Sequence, residues 1–128
     1  MQDPKAGVFW QVLDKGGREC NYLESSASVM FSYALMKGAR QDALEPRFGA
    51  LGRRIHEGVL KEFITTDAAG VMSIHRACEV AGLGGDPGSG NFRDGTYEYY
   101  VKERIRSNDP KAVGPFILAS LEYEGSGR

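Results

Sequence analysis

The sequence predicts an all-α fold built in layers, and three observations carry that reading. Two segments repeat apolar residues at spacings of three and four, the signature of one helix face. A third segment, near the C-terminal end, is apolar almost all round and so needs cover on most sides. Strand signals are confined to short stretches, of which Val71-Met72-Ser73-Ile74 is one.

The first helix is expected over Leu23–Lys37, where Leu23, Ala27, Met30, Phe31, Ala34 and Leu35 share a face. Asn21 is the expected N-cap, with Glu24 three residues on completing a capping-box arrangement. Lys37 followed by Gly38 reads as the stop, because glycine accepts the left-handed conformation there. Ser25, Ser26, Ala27 and Ser28 make the first turns small enough for close packing on several sides.

The second helix is expected from Pro46 to Ile64, since proline costs nothing in a first turn. Its stripe is Phe48, Leu51, Ile55, Val59 and Phe63, with Arg53, Arg54, Glu57 and Lys61 on a solvated back, near which His56 is expected in water. Gly49, Gly52 and Gly58 lie inside it, each costing up to about 1 kcal/mol against alanine. Close approach to a neighbouring helix is the expected return. The third helix is placed at Val113–Tyr123, with Asp109 as its cap ahead of Pro110 and Pro115 admissible only in a first turn. Residues 75–81 read as short strand or irregular, 82–95 as a Gly-rich loop, and 96–101 as extended or the start of a helix. A tightly enclosed helix followed by one with a charged back is what concentric layers of helices produce. Three such helices leave too much apolar surface uncovered to close a core alone, so a portion of a larger helical fold is expected.

Composition narrows the function classes. The 128 residues are 41% hydrophobic and 26% charged, with a net charge of −1 and no long run of like charge. No basic stripe for nucleic acid is present, and no apolar stretch approaches the length of a bilayer, so neither nucleic acid nor membrane is an expected partner. Cys20 and Cys78 have no metal-type spacing and read as free thiols. With no basic-then-apolar leader pattern at the start, a cytoplasmic location is expected. Neither His56 nor His75 has a partner at metal spacing, and no cofactor is indicated.

Four motifs, in order, resemble glycoside hydrolase family 105. They are Phe9-Trp10-Gln11-Val12-Leu13-Asp14; Asn21-Tyr22-Leu23-Glu24-Ser25-Ser26-Ala27-Ser28-Val29-Met30-Phe31; Ala81-Gly82-Leu83-Gly84-Gly85; and the tail from Arg93-Asp94-Gly95-Thr96-Tyr97-Glu98-Tyr99-Tyr100 to Asn108-Asp109-Pro110-Lys111-Ala112-Val113-Gly114-Pro115-Phe116-Ile117-Leu118-Ala119. The resemblance implies a partial (α/α)6 barrel, with residues 1–128 as the C-terminal portion of a single catalytic domain whose N-terminal helical hairpins lie outside this chain. By resemblance, the first and third helices are inner and the second is outer.

The implied activity is removal of the unsaturated galacturonosyl residue from rhamnogalacturonan (pectin) disaccharides or oligosaccharides, by hydration of the C4=C5 double bond. An aspartic acid protonates C4 and water adds at C5. In the family that Asp lies earlier in the chain, so no catalytic residue is assigned here and the 128 residues alone are expected to be inactive. Glu24 is better explained as a helix-start residue and Asp94 as a turn former. The expected substrate-binding residues are Trp10 as a flat face for a sugar, Gln11 for hydroxyls, Arg93 for the sugar carboxylate and Tyr97 lining the cleft. Trp10 and Tyr97 also have a structural reading as packed aromatics, and Arg93 as a surface ion pair. An unsaturated glucuronyl hydrolase and a non-catalytic helical module binding sugar or protein are the competing functions.

Overall fold

The computed structural model describes residues 2–90 and 92–125. In chain order the elements are α1 (Ser25–Arg40), α2 (Pro46–Phe63), β1 (Ile64–Thr66), β2 (Met72–Ile74), β3 (Ala77–Cys78), α3 (Tyr97–Lys102), β4 (Ile105–Arg106) and α4 (Pro110–Gly125). The architecture is helical, but not purely so. Two antiparallel ribbons, β1–β2 and β3–β4, occupy the stretch between α2 and α4. Asp67 closes the first ribbon by accepting from the Ala69 and Val71 amides, both at 2.9 Å. Each ribbon strand is three residues or fewer, and they give the buried core only Ile74 and Ala77.

The start of α1 differs from the expectation. Glu24 is the N-cap, its carboxylate accepting from the Ser26 and Ala27 amides at 3.0 and 2.7 Å. Asn21 is occupied elsewhere. It donates to Val12 O and Lys15 O, and accepts from the Val12 and Tyr22 amides, which pins the preceding loop. Gly38 does not stop the helix, which runs on to Arg40. There the Arg40 guanidinium pairs with both Glu122 oxygens at 2.7 and 2.9 Å, tying α1 to α4.

Which face of α1 is buried is the larger correction. The buried residues are Ser25, Ser26, Ser28, Val29, Ser32 and Met36. Met30 and Phe31, from the expected core stripe, are exposed. Small residues let the neighbours come close. Ser28 Oγ donates to Glu24 O and accepts from the Phe9 amide, and Ser32 Oγ donates to Gly52 O at 2.9 Å. A Cβ on Gly52 would stand 2.9 Å from Ser32 O and 3.0 Å from Met36 N, so this glycine permits the α1–α2 approach that the sequence anticipated. Gly58 does the same for the N-terminal loop, with Ala6 O only 2.5 Å from an added Cβ.

α2 follows its expected bounds to within a residue, but His56 is buried rather than solvated. Its ring stacks on Phe116 at 5.8 Å and meets Tyr123 at 4.8 Å, and its Nδ1 is enclosed with no hydrogen-bond partner among the described residues. Burial, seconded by the Arg53 charge, holds the imidazole below its usual pKa. α4 begins at Pro110, three residues earlier than expected, capped by Asp109 Oδ1 on the Lys111 amide at 3.0 Å. Pro115 therefore falls inside the helix, beyond the first turn. Its ring removes one amide from the ladder.

The core gathers Val8, Val29, Ile55, Val59, Phe63, Ile74, Ala77, Ala112 and Phe116. α4 is not enclosed all round: Phe116 is buried, but Ile117, Leu118 and Leu121 are 45–61% exposed. Among the described residues no helix is long and apolar enough to cross a membrane.

Candidate functional site

A cleft of about 780 Å³ opens where α1 and α4 begin. Gln11 to Leu13 form one wall and Cys78 to Ala81 another. Ser26 and Ala27 of α1, Tyr100 of α3 and Lys111 of α4 complete it.

Glu24 fixes this geometry from below. Besides its two α1 amides, Oε1 accepts from Ser26 Oγ at 2.7 Å and from the Cys78 amide at 2.9 Å. The residue is 1% exposed, with three donors on Oε1 and the Ala27 amide on Oε2. It locks the β3 strand to the helix start, and a proton-donor role would break that lock. Lys111 holds the same strand from the other side. Its Nζ donates to Glu79 O at 2.9 Å and pairs with Asp109 Oδ1 at 2.8 Å. That ammonium keeps the Asp109 carboxyl below its ordinary range. Glu79 is ion-paired with Arg106 at 2.5 Å and with Arg104 at 3.6 Å. Both carboxylates of the cleft thus have structural duties. Among the described residues, no group of His, Cys, Asp and Glu is arranged to hold a metal ion.

Cys78 is buried at the back of the cleft. Its thiol accepts from Gln11 Nε2 and donates to Val80 O, both at 3.1 Å, and burial pushes its pKa up. The Tyr22 hydroxyl is enclosed next to this thiol without a well-formed hydrogen bond. Burial, then the nearby Cys78, drives its pKa upward.

The four expected binding residues do not converge. Gln11 lines the cleft. Trp10 faces away, toward Gln2, Asp3 and Gly16, with an added Gly16 Cβ only 2.9 Å from its Nε1. The cause is alternation: Phe9 and Trp10 are in extended bridges, so consecutive side chains take opposite sides. Tyr97 donates its hydroxyl to Glu19 O at 2.6 Å and carries Arg18 over its ring at 3.8 Å, which ties α3 to the 12–21 loop. Tyr100, one turn on, lines the cleft instead. Arg93 pairs by backbone with Gly84 and lays its side chain by Gly82, on the Gly-rich loop outside the cleft lining. Asp94 accepts from the Thr96 amide and hydroxyl, as a turn former does, and the Thr96 amide is the main cause of its lowered pKa. Lys111 was not singled out from sequence. The usable signal was Asp109-Pro110, which marks a helix start and puts residue 111 in the first turn.

The fold matches that of solved glycoside hydrolases. A family 105 glycoside hydrolase structure from C. acetobutylicum superimposes with a TM-score of 0.90 at 44% identity, over 97% of this chain and 33% of that one. A possible family 105 member from Salmonella enterica shares the fold at 20% identity, with a TM-score of 0.75 over 99% of this chain and 28% of that one. The model of Glycosyl Hydrolase Family 88 matches residues 1–126, and the chain belongs to that family and its family 105 relatives. Protein Atu3128 of Agrobacterium fabrum and the 24.9 kDa protein in the picA locus of Rhizobium radiobacter are each 43% identical over 122 residues. The alignment covers 92% of this chain but 52% of each relative, so the chain spans about half the length of the curated relatives it matches.

Proposed function

We propose that this chain is the C-terminal part of an (α/α)6 barrel, and that the whole enzyme removes the unsaturated galacturonosyl residue from rhamnogalacturonan oligosaccharides. The observation that carries the proposal is the family 105 likeness at 44% identity over nearly all of this chain and a third of the other. The exposed apolar faces of α1 and α4 support it, because hairpins from the rest of the barrel would cover them. The tail motifs favour the rhamnogalacturonyl branch over the glucuronyl one.

In this reading the cleft is one wall of the sugar site, and an aspartic acid outside these residues supplies the chemistry. That acid gives its proton to C4 of the double bond and then takes one from the water that adds at C5. The product is a hemiketal at C5, whose ring opens and releases the glycosidic link. Gln11 offers an amide to sugar hydroxyls. Glu24 and Lys111 hold the β3 strand that forms the opposite wall.

The test is a chimera of the C. acetobutylicum protein in which this chain replaces the corresponding third. Loss of the ultraviolet absorbance of the double bond reports turnover. Unsaturated galacturonosyl-rhamnose is expected to be consumed by the chimera and left intact by the 128 residues alone. Turnover by the isolated chain overturns the placement of the acid, and a preference for an unsaturated glucuronyl disaccharide overturns the substrate.

A further inference from the structure

We infer that Lys111 binds the carboxylate of the acidic sugar, an assignment that rests on the cleft being the sugar site proposed above. Lys111 is the one cationic side chain among the described residues that line the cleft. An ammonium has three donors. Two are spent on Asp109 Oδ1 and Glu79 O, which fix the nitrogen in place and leave a third N–H for a ligand. A cation already ordered by two protein acceptors loses little freedom when an anion arrives.

The surrounding charges favour an anion at this end. Arg104, Arg106 and Lys111 stand against two carboxylates, Glu79 and Asp109. The α4 N-terminus adds partial positive charge on the same side. Glu24, which accepts from the neighbouring Cys78 amide, is enclosed by its donors. A uronic acid would therefore lie with its carboxylate toward Lys111 and its hydroxyls toward Gln11. Arg93, the residue that the sequence nominated for the carboxylate, stands on the Gly-rich loop outside the cleft lining.

Lys111, Gln11 and the Cys78–Ala81 wall that the assignment uses all belong to this chain, so binding is measured on the 128 residues themselves. The probes are sodium galacturonate and its uncharged methyl ester, titrated while the Gln11 side-chain amide and the Cys78 amide are followed by nitrogen–proton NMR. Galacturonate is expected to shift both signals and to bind about tenfold more tightly than the ester, the usual scale of one hydrogen bond to a charged group. Lys111→Met should bring the acid down to the level of the ester and leave the ester unchanged. Equal affinity for acid and ester in the unaltered chain, or no binding of either, overturns the assignment without any variant. So does a Lys111→Met variant that weakens both alike, which marks Lys111 as a strut for Glu79 O only. Acid-selective binding with an inactive chimera would sink the proposed reaction and spare the carboxylate site. An active chimera whose cleft does not distinguish acid from ester would do the reverse.

Discussion

On one face of α1 sit Ser25, Ser28 and Ser32, each fully buried; on another sit Met30 and Phe31, each about two-fifths exposed. An ordinary surface helix has the opposite arrangement. The serine face is buried because close approach demands small side chains, and hydroxyls can then bond the backbone they touch. The apolar face is only partly covered, since Phe9 meets Phe31 edge-on at 4.8 Å and still leaves Met30 and Phe31 exposed. Phe9, Leu13, Phe31, Ala34 and Leu35 line a groove of about 480 Å³ there. The contrast teaches that hydrophobicity alone does not say which side of a helix meets its own chain. Packing distance decides when the partner carries glycine.

The sharpest attempt to break the contrast removes a buried polar group. Glu24→Leu strips acceptors from the Ser26, Ala27 and Cys78 amides and should cost about 3 kcal/mol or more, read as a lower urea midpoint. Gly52→Ala pushes a methyl against Ser32 O and Met36 N. A net loss of about 2 kcal/mol is expected even after the gain in helix propensity, and a rise in the midpoint would contradict the close-approach account. Ser32→Ala deletes only the bond to Gly52 O, for about 1 kcal/mol in the same melt. Leu121→Gln, on the open side of α4, should stay within about 0.5 kcal/mol. It should also reduce self-association in sedimentation runs at high concentration. A Leu121→Gln loss as large as that of Gly52→Ala would show that the open face is already covered.

Much of the fold was legible where the signal is local. Pro46 and the Ile55-Val59-Phe63 stripe give α2 to within one residue, because proline geometry and periodicity act over a few positions. The start of α1 was not legible in the same way. Asn21 and Glu24 are both cap-type residues, and the choice is settled by Val12, Lys15 and Cys78, which lie outside the helix. His56 was misplaced because its neighbours Phe116 and Tyr123 come from sixty and more positions away. In the site, Gln11 was readable as a hydrogen-bonding residue. Its separation from Trp10 depended on an extended backbone at Phe9 and Trp10 that periodicity in so short a run does not announce. Lys111 was hidden by ordinariness, since one surface-type lysine looks like another until Glu79 O and Asp109 Oδ1 are seen to grip it.

The enclosed imidazole makes the joint between α2 and α4 sensitive to acid. His56 takes up a proton more readily in the unfolded chain than in the folded one, because the native ring is buried and has Arg53 nearby. The stabilisation is therefore whole above the ordinary histidine value of 6.5 and drains away as the pH falls below it. Thermal melts between neutral and mildly acidic pH should lose ground in the unaltered chain and lose less in His56→Phe. The same ring that cements two distant stretches of sequence thereby sets a lower bound on the acidity in which they stay joined.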